Sequence, residues 1–254
     1  MKKAGNLLYF VLMVFLAGVF CFSGWMLISE MKSYNDDKQA YKELEQFVEV
    51  PVVNETQQDE VSEEPEPLYP VVDFESLKAI NKDCIGWIYV PDTNINYPVV
   101  QTTNNEYYLK RLFDKKYGIS GTVFLDSRNT DEMSDRHSIL YGHHMKNGTM
   151  FANAEDYKDQ SYADAHPLGY YITPDQVYEI EFFAGYLTDP YNDSWMLNFT
   201  DTEFEDWLKV SKMRSHFYSD VTPTIENRIM TLSTCSYDIA DGRFVLLGIL
   251  NELD

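Results

Sequence analysis

The sequence predicts a mostly β fold of the α+β kind, a mixed barrel of seven or eight short strands tethered by an N-terminal membrane anchor. Three observations carry this expectation. Short apolar runs rich in Val, Ile, Tyr and Phe recur between turn residues from Gly86 to Leu250, the pattern of strands and not of long helices. The clearest helical spacing in that region is in Asp201 to Phe217,. An uncharged run near the start is followed by an acidic, proline-bearing segment that precedes the first strand.

The uncharged run extends over 22 residues, Leu7 to Ile28. At the rise of an α-helix it spans about 33 Å, the thickness of a bilayer's hydrocarbon core. A secretory signal peptide has a shorter apolar region and a small-residue cleavage site, and neither is evident here. Lys2 and Lys3 precede the run, so residues 1–6 are expected in the cytoplasm and everything after Glu30 outside. Residues 29–72 are read as a juxtamembrane segment, helical through Tyr34, Tyr41, Leu44 and Phe47, and a stalk. Between Lys42 and Lys78 lie eleven carboxylates and no basic residue, with Pro51, Pro65, Pro67 and Pro70 interspersed. Such a stretch repels itself and buries too little apolar surface to order.

The folded domain is expected over 73–254. Phe74, Leu77, Ala79 and Ile80 mark a short N-terminal helix. Gly86 to Val90 and Tyr97 to Val100 flank the turn-rich Pro91-Asp92-Thr93-Asn94 as a hairpin-like pair,. Further strands are read at Gly121 to Leu125, His137 to Tyr141, Gly169 to Ile172, Val177 to Tyr186, Arg228 to Thr234 and Phe244 to Leu250. Short helices are expected over Asn105 to Phe113 and Met150 to Tyr157. A longer one over Asp201 to Phe217, capped by Thr200 or Asp201, is inserted between two late strands,.

Charge and cysteine content narrow the functional classes. The net charge is −21, and there is no basic stripe with interleaved aromatics, so nucleic acid is excluded as a partner. Cys21 lies in the anchor, and Cys84, in Cys-Ile-Gly-Trp-Ile, reads as a small core residue,. Cys235 is different. It ends the run Thr231-Leu232-Ser233-Thr234-Cys235, while His143 follows Tyr141-Gly142 at the end of another strand, and Arg243 opens the last strand eight residues after the thiol. A thiol, an imidazole and a guanidinium are the equipment for acyl transfer through a thioester: nucleophile, proton partner and permanently charged donor. Singly, each has a plainer reading: a core cysteine, a surface His143-His144 pair, a strand-edge arginine. The five histidines have no metal-ligand spacing,, and no metal or cofactor is expected.

Together these residues resemble the sortases, membrane-anchored cysteine transpeptidases of Gram-positive bacteria. The T-L-S-T-C run, the Gly142-His143 pair and the arginine eight residues on match that family's catalytic motifs. Class B is indicated by Ile85-Gly86-Trp87-Ile88 to Tyr97-Pro98-Val99-Val100-Gln101, Asn105-Glu106-Tyr107-Tyr108-Leu109, Tyr141-Gly142-His143-His144-Met145 and the helix before the cysteine strand. The resemblance covers residues 73–254. It implies a sortase-like β-barrel with Cys235, His143 and Arg243 catalytic, the histidine after glycine being chosen over His144. Ser233, Thr234, Asn105 and Leu109 are implied to bind substrate.

It further implies cleavage of a C-terminal sorting signal, N-P-x-T-[NG] or L-P-x-T-G, after Thr, and transfer of a surface protein to an amine of peptidoglycan or its lipid-linked precursor. The resulting localisation is a single-pass membrane protein with an extracellular catalytic domain. Two alternatives remain at this point. A pilus-polymerising sortase commonly carries a second C-terminal span, which is not seen after Asn251-Glu252-Leu253-Asp254. A non-catalytic surface-binding domain would have an unreactive Cys235.

Overall fold

The computed structural model describes residues 2–51, 68–236 and 241–253, with side chains from residue 10 onward. The uncharged run and the juxtamembrane segment form one helix, α1 (Lys2–Leu44). From Phe10 to Ile28 its large apolar side chains are exposed, and by length and composition it is a candidate membrane span.

Beyond the span, α1 does not stand clear of the domain. Tyr34, Tyr41, Leu44 and Phe47 recur on one helical face, and that face meets the barrel,. Leu44 and Val48 are buried, the Tyr41 ring packs edge-on against Tyr97 at 5.3 Å, and the Tyr41 hydroxyl donates to Gly121 O and Thr122 Oγ1. Ser120 N donates to the buried Asp37 carboxylate at 2.9 Å. The chain then forms a two-stranded sheet of β1 (Val48–Glu49) and β2 (Val71–Val72). Packed residues thus begin well before Asp73, where the folded domain was expected to start. The acidic composition of the segment concealed its apolar face. The middle of the expected stalk, 52–67, lies outside the described residues.

After the capped helix α2 (Phe74–Ile80) come the barrel strands β3 (Cys84–Tyr89), β4 (Asn96–Val100), β5 (Val123–Leu125), β6 (His137–Tyr141), β7 (Leu168–Ile172), β8 (Val177–Thr188), β9 (Arg228–Cys235) and β10 (Arg243–Leu253). They close in the order β10-β8-β7-β3-β4-β5-β6-β9. These eight strands meet the sequence expectation. The pairings β4–β5 and β6–β9 are parallel and the others antiparallel.

Alternation sorts the two faces of each strand. Ile88, Val99, Leu140, Leu232 and Leu246 join one core cluster, whereas Phe183, Val245 and Leu247 join another with Phe204 and Trp207. Those two aromatics belong to α4 (Asp201–Arg214), which lies between β8 and β9 in sequence and begins with a Thr200–Glu203 capping box,. α4 stops at Arg214 and not at Phe217, because β8 captures the chain there: His216 N bonds Gly185 O at 2.8 Å.

The other expected helices are also shorter. Residues 105–113 hold only a 3₁₀ turn, Tyr107–Lys110, started by Asn104 Oδ1 accepting from Glu106 N and Tyr107 N. Residues 152–158 form a 3₁₀ helix, and α3 (Gln160–Ala165) follows it. Gly121, at φ +58° and pressed against the Tyr108 and Leu109 carbonyls, keeps β5 from starting before Val123.

Candidate active site

The parallel pairing of β6 with β9 decides where the candidate residues meet. Two strands running the same way end at the same rim of the barrel, and an antiparallel neighbour starts there. Tyr141 is level with Ser233 across β6–β9, and Cys235 faces Arg243 across β9–β10. Tyr141, Ser233, Cys235 and Arg243 therefore share the outward strand face, opposite the barrel-filling Leu140 and Leu232. A groove of about 390 Å³ lies over them.

Past the end of β6, Gly142 N donates to Ser233 O at 3.0 Å, so residues 142–144 continue alongside Thr234 and Cys235. A Cβ on Gly142 would sit 2.6 Å from the Phe151 ring, which is why glycine precedes the histidine pair. Successive side chains then turn to opposite sides. His143 lines the groove, with Nε2 2.7 Å from Leu109 O. A carbonyl only accepts, so Nε2 carries the hydrogen, and in the neutral ring the lone pair is on Nδ1. His144 turns behind the thiol strand, where Nδ1 lies 3.0 Å from Cys235 O and 2.8 Å from Glu155 Oε2.

One wall of the groove is a run of aromatic rings: Phe124 stacks on Tyr141 at 5.2 Å, and Tyr141 stacks on Trp195 at 6.0 Å. Asp126 supports it from below. Burial alone would push its carboxyl up, but the Arg128 guanidinium, the Arg128 amide and the Tyr141 hydroxyl hold it at about 2,. Arg128 also donates to Trp195 O at 3.3 Å.

The neighbouring Met196 O accepts from Nδ1 of His137 at 2.6 Å, and Thr231 Oγ1 is 2.8 Å from its Nε2. The carbonyl fixes the tautomer, so Nε2 accepts from the threonine. Burial of this ring pushes the imidazole down to about 4. His137 thereby ties the Trp195 loop to β6 and to the strand that carries the thiol.

All seven residues singled out from sequence line this one groove: His143, Cys235, Arg243, Ser233, Thr234, Asn105 and Leu109. Thr234 is 2% exposed, and among the described residues its hydroxyl has no hydrogen-bond partner. Arg243 Nη1 is held by the Asp241 and Gly242 carbonyls at 3.0 Å each. Asn105 accepts from Ser127 N at 2.7 Å.

Sequence reasoning missed Thr122, Phe124, Tyr141, Pro190 and Trp195. Tyr141 had a signal, since it shares the strand face that leads to His143. The loop after β8 had none, because its place depends on α4 and His137. Cys84 is 1% exposed, and burial pushes its thiol up to about 12. Among the described residues no His, Cys, Asp and Glu cluster is arranged to hold a metal ion.

A family profile for the Sortase domain matches residues 88–250. Sortase B of Listeria monocytogenes serovar 1/2a is 35% identical over 237 residues, which are 92% of each chain. Among solved structures, sortase B from B. anthracis superposes with TM-score 0.73 at 32% identity, covering 88% of this chain and all of that one. A Staphylococcus aureus sortase B–substrate complex superposes with TM-score 0.68 at 35% identity, covering 71% of this chain and 85% of that one.

Proposed function

The chain belongs to the sortase family, in its class B, and from that premise we propose which residues perform its cysteine transpeptidase chemistry and on what substrate. Cys235 is the nucleophile, His143 its proton partner and Arg243 the charged donor. The single observation that supports this most is the meeting of three strand ends in one groove, with Cys235 and Arg243 as direct ladder partners.

The reaction has two halves. His143 Nδ1 takes up the proton of the Cys235 thiol, and the thiolate attacks the carbonyl carbon of the sorting-signal Thr, forming the C–S bond and an oxyanion. The Arg243 fork stabilises that charge as it develops, a donor role that backbone amides often share. His143, whose Nε2–H is occupied by Leu109 O, uses Nδ1 to protonate the leaving amine as the C–N bond breaks. An incoming amine then attacks the thioester, gives up a proton to the same nitrogen and expels the thiolate.

Sortases act on surface proteins and peptidoglycan in general. For this chain we assign a signal of the N-P-x-T-[NG] or L-P-x-T-G kind, with an amine of peptidoglycan or its lipid-linked precursor as acceptor. The groove supplies an apolar wall for such a peptide in Phe124, Tyr141 and Trp195, and Thr234 lines it beside the nucleophile. Ser233, Asn105 and Leu109 complete the substrate contacts.

Lys2 and Lys3 orient the anchor, with residues 1–6 in the cytoplasm, 7–28 in the membrane and the catalytic domain outside,. Protease added to intact protoplasts should then degrade the domain, and protection would reverse the orientation. The chemistry is tested by incubating the enzyme with each peptide type. Intact-mass analysis should find the peptide's acyl fragment on Cys235, discharged by an added amine. No adduct from either peptide would overturn the substrate assignment.

A further inference from the structure

Glu155 lies behind the thiol strand and gathers three side chains. Its side chain is only 13% exposed. Oε2 is 2.8 Å from His144 Nδ1, and Oε1 accepts from Ser236 Oγ at 2.6 Å and from Lys158 Nζ. His144 Nδ1 is also 3.0 Å from Cys235 O. The Glu155 carboxylate and the Cys235 carbonyl are both acceptors, so this nitrogen must carry a hydrogen, shared in a three-centre bond between them,. On the other side, Ser236 N donates to Gly242 O at 2.8 Å.

We propose that His144, oriented by Glu155, is a positioning residue for the nucleophile, clamping the Cys235 carbonyl so that the thiol is aimed at the bound carbonyl carbon. The inference rests on Cys235 being the nucleophile.

The physical need for such a clamp comes from the place of Cys235 in its strand. It is the last residue of β9. Its ladder contact with β10 fixes one edge of the peptide, whereas β6 ended at Tyr141 and no longer pairs on the other. Without a second constraint, rotation of the Cys235–Ser236 peptide swings the Cα–Cβ bond, and a displacement of about 1 Å at a reacting atom can cost as much as 10²-fold in rate. The imidazole of His144 provides that constraint, and the largely buried Glu155 carboxylate fixes both its tautomer and its ring plane,. The same carboxylate binds the hydroxyl of Ser236, so two consecutive residues at the strand end are tied to the 3₁₀ helix at 152–158. Adjacent histidines thus divide the work: His143 serves the substrate side of Cys235 and His144 its backbone side.

The test uses the full-length enzyme in detergent and a fluorogenic sorting peptide, with three variants at one position. An Asn side chain places its amide nitrogen where the ring Nδ1 stands, whereas Gln places it one bond further out. His144→Ala and His144→Gln should lose about tenfold in kcat, with KM within about twofold. His144→Asn should stay within about threefold of the wild type. Alkylation of Cys235 by iodoacetamide should proceed at near-normal rates in all three, because aim and not ionisation is altered.

Wild-type kcat in His144→Gln, or equal losses in His144→Asn and His144→Gln, would overturn the proposal, and that comparison holds even if His144→Ala does not fold. A loss appearing in KM alone would overturn it as well. Failure of the underlying assignment reads differently, since Cys235→Ala would then remain active.

Discussion

Cys235 and Arg243 are direct partners across the antiparallel ladder of β9 and β10, although eight positions separate them in sequence. Directly opposed residues on one face bring their Cβ atoms within about 5 Å. This places the Arg243 side chain on the same strand face as the thiol, where the proposed oxyanion would develop. Arg243→Lys keeps the charge but loses the planar pair of donors. We expect kcat/KM to fall by about 10²-fold or more, the range for a lost oxyanion donor, while a small alkylating agent still modifies Cys235. Near-normal turnover would mean that diffuse positive charge suffices.

The two cysteines of the domain should separate cleanly. Burial holds the Cys84 thiol at about 12, so its thiolate fraction at neutral pH is only about 10⁻⁵. Cys235→Ala should abolish peptide cleavage, and Cys84→Ala should leave most of it. A dead Cys84→Ala enzyme with a normal unfolding transition would assign the nucleophile to the wrong thiol.

His143 and His144 lie on opposite sides of the thiol strand. His143→Ala should lose on the order of 10² or more in rate, the scale of a missing general acid, and exceed the loss in His144→Ala. Equal losses in cleavage assays run side by side would contradict this division.

The buried His137 makes stability depend on pH. In the unfolded chain its ring takes up a proton near its ordinary value, about 6.5; in the folded protein it does so only at about 4. Its contribution is therefore fully present above the unfolded value, lost progressively as pH falls toward the folded value, and constant below that. Between about pH 7 and about pH 5 this one group should cost about 2 kcal/mol. The stability lost between the two pH values, read from denaturant titrations, should be larger in the wild type than in His137→Gln by that amount. Equal losses would show that the ring titrates normally in the fold.

Much of this protein was legible in the sequence because the informative features are local. One continuous segment suffices to show each of the strand Arg228–Cys235, the 22-residue apolar run Leu7 to Ile28 and the cap and spacing of α4. The proposed catalytic trio could be singled out too, because Cys235 ends β9, Arg243 opens β10 and His143 follows β6 by two residues. The shorter helices were misjudged where tertiary contacts intervene, as at residues 105–113, where Tyr108 is drawn inward to hydrogen-bond Asp83 at 2.7 Å and Asn81 at 2.8 Å.

By itself, then, the sequence determined the strands, the candidate membrane span and the candidate reactive groups, which depend on side-chain chemistry and on spacing along one segment. Only the tertiary structure decided that β6 runs parallel to β9, which brings His143 and Cys235 to the same rim. It alone turned His144 behind the thiol, set Trp195 against Tyr141 and docked residues 37–48 on the barrel. Each of these depends on which segments distant in the chain become neighbours. That choice is made by the closure of the whole barrel and the burial of its shared core, and no single segment encodes it.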